Sequence, residues 1–422
     1  MEPQDELHFY KGNQDIFKEE SREDQDQLTR IRDAFGKVLD GKNLSFLLGS
    51  GCSSFMFKEE EKNIEVGIPT MVPLAKKFYS DELTAAEKEE LKDKLHLDVS
   101  EGKFLKNLEF FLGTLHGAEF FYESTSNKGD EYTLAVEVIL KVKSYLIKKV
   151  LNEENANDGK DEPVNQLYRK FYRKLLYRNT NLPKANIFTT NYDLYSELAL
   201  DKLGIHYVNG FTGGIKKYFN PTIFNYALAE RMDLSQSKWS VIDNFFYLYK
   251  LHGSINWVED TDDSKLFKVR EIQDANFDAL KSRSNIMVHP TPLKQTASLG
   301  SPYSDLFREF QKKLMQNNNV LVTIGYSFSD EHINNLIYQA FTIPSFRLIV
   351  LGTPAKGSEI DKLKLLDDPR IWIIGGILAT GKELHYFDGF VNNVLPNLSN
   401  DNLDNKIENA IRTLLQKNES GR

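Results

Sequence analysis

The chain has 422 residues, 41% of them hydrophobic and 27% charged, with a formal net charge of −8. That length points to one large domain plus an elaborated insert or appendage, and the composition supports a packed core and speaks against global disorder. A pI near 5.7 argues against a broad nucleic-acid surface, because phosphate binding needs clustered Lys and Arg.

Cys52 is the only cysteine, so no intrachain disulfide and no cysteine-rich zinc site can be assembled. The first twenty residues are polar and acidic, unlike a signal peptide, and no apolar run approaches the roughly 20 residues that span a bilayer. The expectation is a cytoplasmic protein.

Residues 1–30 are charged and lack apolar periodicity. They read as an N-terminal arm or an oligomer contact outside the core. Leu44-Ser45-Phe46-Leu47-Leu48 then forms an apolar run that ends abruptly in Gly49-Ser50-Gly51, as a buried strand entering a tight turn would. From about residue 84 to 178 the period becomes helical. Leu105, Leu108, Phe111, Leu112 and Leu115 make one stripe, Val136, Ile139, Leu140 and Ile147 a second, and a third helix is expected over Val164–Tyr177. The polar stretch Asn152–Asp161 reads as a loop, and the whole block as an all-helical insert.

Strand-like runs resume at Ala185–Phe188, Phe246–Leu251, Asn285–Val288, Val320–Ile324 and Arg347–Leu351. Helical patterns over Leu194–Leu203, Ser304–Met315 and Asp330–Phe341 separate several of them. Strands alternating with helices predict an α/β fold, a parallel sheet with helices on both faces. The C-terminal extension, residues 356–422, carries one more apolar run, Ile371–Ile374, and a helix expected near Ile407–Leu415.

Each run ends in small or polar residues, and in an open parallel sheet those ends share the edge where ligands bind. Gly49–Ser53, Asn191–Asp193, His252–Ser254 and Gly325–Ser329 therefore converge on one crevice. Gly49-Ser50-Gly51-Cys52-Ser53, expected to open a helix, reads as a pyrophosphate cradle or as a plain strand-to-helix turn. His252 reads as a proton acceptor or as a structural histidine at a strand end. Asn191 and Asp193 share one side of a strand end, which suits a ribose hydroxyl and a carboxamide; capping of the following helix is the plainer reading. Gly325 and Ser327 suit phosphate or ribose contact, whereas Ser329 and Asp330 read as helix caps. Cys52 is expected to be buried filler, Asp305, Arg308 and Glu309 a solvated helix face, and Phe110, Phe111, Phe120, Phe121 and Tyr122 core of the insert.

Taken in order, Gly49–Ser53, Thr189-Thr190-Asn191-Tyr192-Asp193, Leu251-His252-Gly253-Ser254 and Ile324–Asp330 resemble the sirtuin-like NAD-binding family, in its divergent bacterial branch. The resemblance covers roughly residues 41–353. It implies a Rossmann-like domain over 31–355 with the helical insert at about 84–178. It implies roles as well: Gly49, Ser50, Gly51 and Ser53 at the pyrophosphate and adjacent ribose, Asn191 at the nicotinamide ribose or the attacking water, and Asp193 at the carboxamide. His252 would be the base, with Gly325 and Ser327 on the far side of the dinucleotide. Protein-deacylating sirtuins carry a four-cysteine zinc ribbon, which this chain cannot make. The branch it resembles instead holds zinc-free antiphage NADases, whose partners include Argonaute-like proteins and HerA-type ATPases. The implied activity is NAD hydrolysis by a homo-oligomer with a separately encoded partner, a HerA-type translocase for preference. ADP-ribosyl transfer or deacylation, and non-catalytic sensing of NAD or ADP-ribose, are the rival readings.

Overall fold

The computed structural model describes residues 5–19, 26–59, 62–126, 128–151, 162–231, 239–242, 244–260, 268–281, 285–287 and 301–396. Its strands, in chain order, begin with β1 (Glu6–Lys11), β2 (Gln14–Asp15) and β3 (Asn43–Leu48), then the hairpin β4 (Ser54–Glu59) and β5 (Lys62–Gly67). After the helical stretch come β6 (Asn186–Thr189), β7 (His206–Val208), β8 (Phe211–Thr212), β9 (Lys217–Phe219), β10 (Ala229–Arg231) and β11 (Trp239–Val241). The remainder are β12 (Phe245–Lys250), β13 (Gly253–Glu259), β14 (Val269–Glu271), β15 (Asn285–Met287), β16 (Asn319–Ile324), β17 (Arg347–Leu351) and β18 (Ile371–Ile377).

Nine of these form one sheet in the order β2-β1-β18-β17-β16-β3-β6-β12-β7, and every pair from β18 across to β7 is parallel. Strands covered on both faces read as continuous apolar runs, which is why β3 and β16 are buried almost throughout. Neighbouring residues on a strand serve opposite faces. Phe46, Ile187 and Leu248 meet Ile31, Phe35, Phe171 and Leu200 from the Gln27–Leu39, Pro163–Leu176 and Tyr195–Leu203 helices. Leu47, Phe188 and Leu321 meet Phe310, Leu314, Ile333 and Ile337 from the Tyr303–Leu314 and Glu331–Ala340 helices. The chain is thus an α/β protein with a Rossmann-like sheet. After β3 it lays β6 and β12 to one side, then crosses to add β16, β17 and β18 on the other, so strand order reverses between β3 and β16.

The helical block is a separate layer. The Met71–Asp81, Ala85–Leu95, Leu108–Ser124 and Asp130–Leu151 helices close around Phe78, Phe111, Leu112, Val138 and Val142. Thr84 and Glu87 form a capping box, and Asn107 caps the Leu108–Ser124 helix at the Phe110 amide.

Several expectations are corrected. The N-terminal segment does not stay outside the core, since β1 pairs antiparallel with β18 and buries Leu7 and Phe9. Its alternation, masked in sequence by flanking charges, spans only one short strand. The C-terminal extension is likewise built in, through β18 and the buried Phe387, Phe390 and Val394. The run at Asn285 joins β13 antiparallel in a second, five-stranded sheet (β15-β13-β14-β9-β8), not the parallel one. Gly49–Ser53 leads through a short 3-10 turn into the β4–β5 hairpin, and the first helix of the block starts only at Met71. The Pro163–Leu176 helix belongs to the main core, not to the insert. Of the aromatics expected inside the insert, Phe111 is buried but Phe110, Phe120 and Phe121 are exposed, because a helix presents only one stripe to its core. Asp305 and Arg308 pair at the surface, whereas the Glu309 carboxylate is largely covered. Val288 to Pro290, the Asn152–Asp161 loop and the helix expected near Ile407 lie outside the described residues.

Candidate functional site

The carboxyl ends of β3, β6, β12 and β16 surround a cavity of about 420 Å³ at the strand-order reversal. That is where an open parallel sheet binds ligands. Ser50, Ser53, Asn191, Asp193, His252, Gly325 and Ser327 all line it. Gly49 and Gly51 do not, and their role is packing. A Cβ on Gly49 would lie 2.3 Å from the Gly325 carbonyl oxygen, and one on Gly51 2.8 Å from the Gly325 Cα. Gly325 itself has φ +62, which glycine adopts freely. The two strand-end turns therefore meet backbone to backbone. The amides of Gly49, Gly51, Cys52 and Ser53 all donate within the protein, so this turn presents mainly the Ser50 and Ser53 side chains to the cavity. By contrast, the amides of Ser327 and Ser329 donate to nothing among the described residues.

Asn191 is buried and held on both sides. Its Nδ2 donates to the Gly49 carbonyl at 2.9 Å and to Ser53 Oγ at 3.0 Å. Its backbone amide donates to Thr189 Oγ1, which in turn donates to the Leu48 carbonyl. With its nitrogen committed inward, the side chain keeps Oδ1 as an acceptor. Ser53 Oγ passes the chain on by donating to Asp193 Oδ2 at 2.6 Å, while Asp193 Oδ1 accepts from the Tyr195 amide at 3.1 Å. Asp193, one residue before the N-cap Leu194, thus holds the first amide of the Tyr195–Leu203 helix and anchors the network at once.

His252 sits at the sharp exit from β12, where Gly253 takes φ +88 and lets the chain turn into β13. His252 Nε2 and Asp330 Oδ2 are 3.0 Å apart. Asp330 Oδ1 accepts from the His332 and Ile333 amides, so the capping role expected of Asp330 is present together with a hydrogen bond to His252 that was not read from the sequence. Ser327 and Ser329 hydroxyls bond each other at 3.1 Å. Cys52 is fully buried with its thiol on the Ile324 carbonyl, and burial pushes that thiol well up, away from the thiolate a nucleophile needs.

Other contributors were not read from the sequence. Tyr192 Oη donates to Glu109 Oε1 at 3.2 Å, joining the sheet to the helical block across the cavity. Lys106, Asn107 and Glu109 line the cavity from that block, with an apolar wall of Met71, Val72, Leu146 and Val150. They lie more than eighty residues from Asn191 and carry no motif, so nothing local marked them. Lys250, almost fully buried, braces the site from below: its Nζ donates to the carbonyl of Asp193, to Ser254 Oγ at 2.7 Å and to Glu197 Oε1 at 3.0 Å. Burial pushes the Glu197 carboxyl up while Lys250 opposes it. Among the described residues no group of three or more His, Cys, Asp or Glu is arranged to hold a metal ion, and no helix is long and apolar enough to cross a membrane.

Residues 185–343 match the family model described as SIR2-like domain. No curated protein matches the chain. The matched stretch holds Asn191, Asp193, His252 and Gly325–Asp330, while Gly49–Ser53 precedes it in sequence and joins it only in space. That match, over the residues that supply most of the cavity's polar side chains, supports a sirtuin-like family for this chain.

Proposed function

We propose that this protein is an NAD+ hydrolase that cleaves the nicotinamide–ribose bond to release nicotinamide and ADP-ribose. The observation that carries the reading is the meeting of Asn191, Asp193 and His252 with the Gly325–Asp330 turn in one cavity. The SIR2-like family uses NAD, and 420 Å³ falls within the roughly 300–1,000 Å³ of small-molecule sites.

Bound NAD supplies a pyridine that leaves without a strong general acid, by way of an oxocarbenium-like transition state. The protein's tasks are to hold the ribose, to balance charge and to direct water. Ser50, Gly325, Ser327 and the free amides at Ser327 and Ser329 serve the pyrophosphate and the adjoining ribose, with Lys106 as counter-charge. Gly49 and Gly51 support them by letting the two turns meet, and Ser53 links the turn to Asn191 and Asp193. Asp193, whose carboxylate retains accepting capacity beyond its two internal bonds, takes the carboxamide. Asn191 Oδ1 accepts from a ribose hydroxyl or the attacking water, and His252 is the base. No zinc takes part in this scheme.

An antiphage role by NAD depletion rests on the family resemblance alone, as do homo-oligomerisation and a HerA-type ATPase partner. Because unprovoked NAD loss harms the host, activity is gated by assembly or by an infection signal; rapid turnover by the pure chain would contradict that gating.

The decisive assay separates the products of NAD turnover by chromatography, for the wild type, His252→Ala and Asn191→Ala, with and without the ATPase. Nicotinamide plus ADP-ribose from the wild type, with turnover reduced about 10²–10⁴-fold in the variants, is the expected outcome. Variants that match the wild type would remove both residues from the mechanism.

A further inference from the structure

We propose that Asp330 is a positioning residue that holds His252 as its Nε2–H tautomer, which makes Nδ1 the nitrogen that works on the substrate. The inference rests on the NAD-cleaving reading of the same cavity and adds to it the atom that acts. An ionised carboxylate only accepts hydrogen bonds, so the His252 Nε2 that lies 3.0 Å from Asp330 Oδ2 carries the proton. The lone pair of the neutral ring is then on Nδ1. Nδ1 has no hydrogen-bond partner among the described residues, and His252 lines the cavity.

The carboxylate is itself tightly held. Its second oxygen accepts from His332 N at 2.9 Å and Ile333 N at 3.2 Å, so rotating toward or away from His252 would uncap the Glu331–Ala340 helix. The turn that delivers it is braced as well. Asn334 Nδ2 donates to the Phe328 carbonyl at 2.7 Å, and Tyr326 Oη donates to Asn334 Oδ1 at 2.9 Å. Only about 15% of each partner in the His252–Asp330 pair is exposed, which keeps water from replacing either.

In the proton-transfer step, a proton leaves a ribose hydroxyl or a water for Nδ1, and the O–H bond pair stays on that oxygen. Nε2 keeps its proton throughout. Asp330 stays ionised and stabilises the imidazolium so formed, which is the division of labour in an Asp–His pair of this type. The Gly325–Asp330 turn thereby performs two tasks, ligand contact through its serines and tautomer selection through its final residue.

Asp330→Asn isolates the second task. An Asn side-chain oxygen still caps the helix, but its NH2 now faces Nε2 and forces the ring proton onto Nδ1. Expected is a loss in kcat for NAD cleavage on the order of 10²–10⁴-fold, with KM within about twofold and the melting temperature unchanged. Nitrogen-15 NMR of histidine-labelled protein, with the His252 signals assigned from the His252→Ala spectrum, reads the tautomer directly. The proton belongs on Nε2 in the wild type and on Nδ1 in Asp330→Asn. A wild-type spectrum with the proton on Nδ1, or full kcat in Asp330→Asn, overturns the proposal. The spectrum decides the tautomer even if the chain does not cleave NAD, so failure of the functional reading and failure of this inference are told apart.

Discussion

Two glycine positions show how the same residue type answers opposite demands in this chain. Gly49 has no room for a side chain, since its Cβ would strike the Gly325 carbonyl oxygen at 2.3 Å and the Tyr326 Cα at 2.6 Å. Both are backbone atoms and neither can swing aside. Gly36 lies inside the Gln27–Leu39 helix with nothing within 4 Å of a Cβ. Gly49→Ala is therefore expected to destabilise by about 1–3 kcal/mol and to disorganise the cavity. Gly36→Ala is expected to stabilise by about 0.5–1 kcal/mol, because alanine loses less chain entropy in a helix. Chemical denaturation of the two single variants checks both signs, and equal effects would refute the packing account of Gly49. Ser53 answers to the same crowding. It is a small side chain because it has to bridge Asn191 and Asp193 in a space closed by Gly49.

Among the elements, the β1–β18 edge carries the clearest dependence on pH. His8 on β1 donates Nε2–H to the Gly352 carbonyl, and burial pulls its pKa down. His385, just beyond β18, is pushed down to about 4 by burial and by the neighbouring His8. Both rings are thus favoured in the neutral form when folded, whereas an unfolded histidine titrates near 6.5. The unfolded chain binds more protons in the window between those values, so stability is full above pH 6.5 and falls as the pH drops toward 4. Unfolding free energies measured at pH 7 and pH 4.5 are expected to differ by an amount that His385→Asn reduces by on the order of 2 kcal/mol. No change in that difference would mean that the edge does not carry the acid sensitivity. With a β-hairpin instead of a helix directly behind it, the Gly49–Ser53 turn lacks the dipole of a helix N-terminus and leaves only the Ser50 amide without an acceptor among the described residues, while the Ser327 and Ser329 amides stay open in the facing turn.

Across the whole molecule, the site is shared between the sheet and the helical block, and the hydrogen bond from Tyr192 to Glu109 spans the two. Tyr192→Phe removes only the hydroxyl. The expected result is a fall of roughly tenfold in kcat/KM for NAD cleavage, the size of a lost hydrogen bond to a charged group, with little change in melting temperature. An unchanged kcat/KM would show that the block shapes the cavity by bulk alone. Much of this arrangement was legible beforehand. The runs at Leu44, Ala185, Phe246, Val320 and Arg347 announced themselves as parallel strands because burial on both faces demands unbroken apolar residues. The polar residues at their ends marked the crevice, since strand ends in such a sheet share one edge. Other features left no local trace. β1 was hidden among charges because it lies next to the sheet's edge and buries only Leu7 and Phe9, and β15 looked like its parallel neighbours because a short apolar run does not state its direction or its sheet. Glu109, Lys106 and Lys250 gave no signal, as their importance lies in what they touch. The sequence by itself determined which residues are apolar, where strands end and which polar groups stand at those ends, because these follow from burial and local chain geometry. Only the tertiary structure decided that Asp330 reaches His252, that Asn191 turns its amide inward, and that the helical block closes over the cavity, because contacts between distant segments depend on how the layers pack.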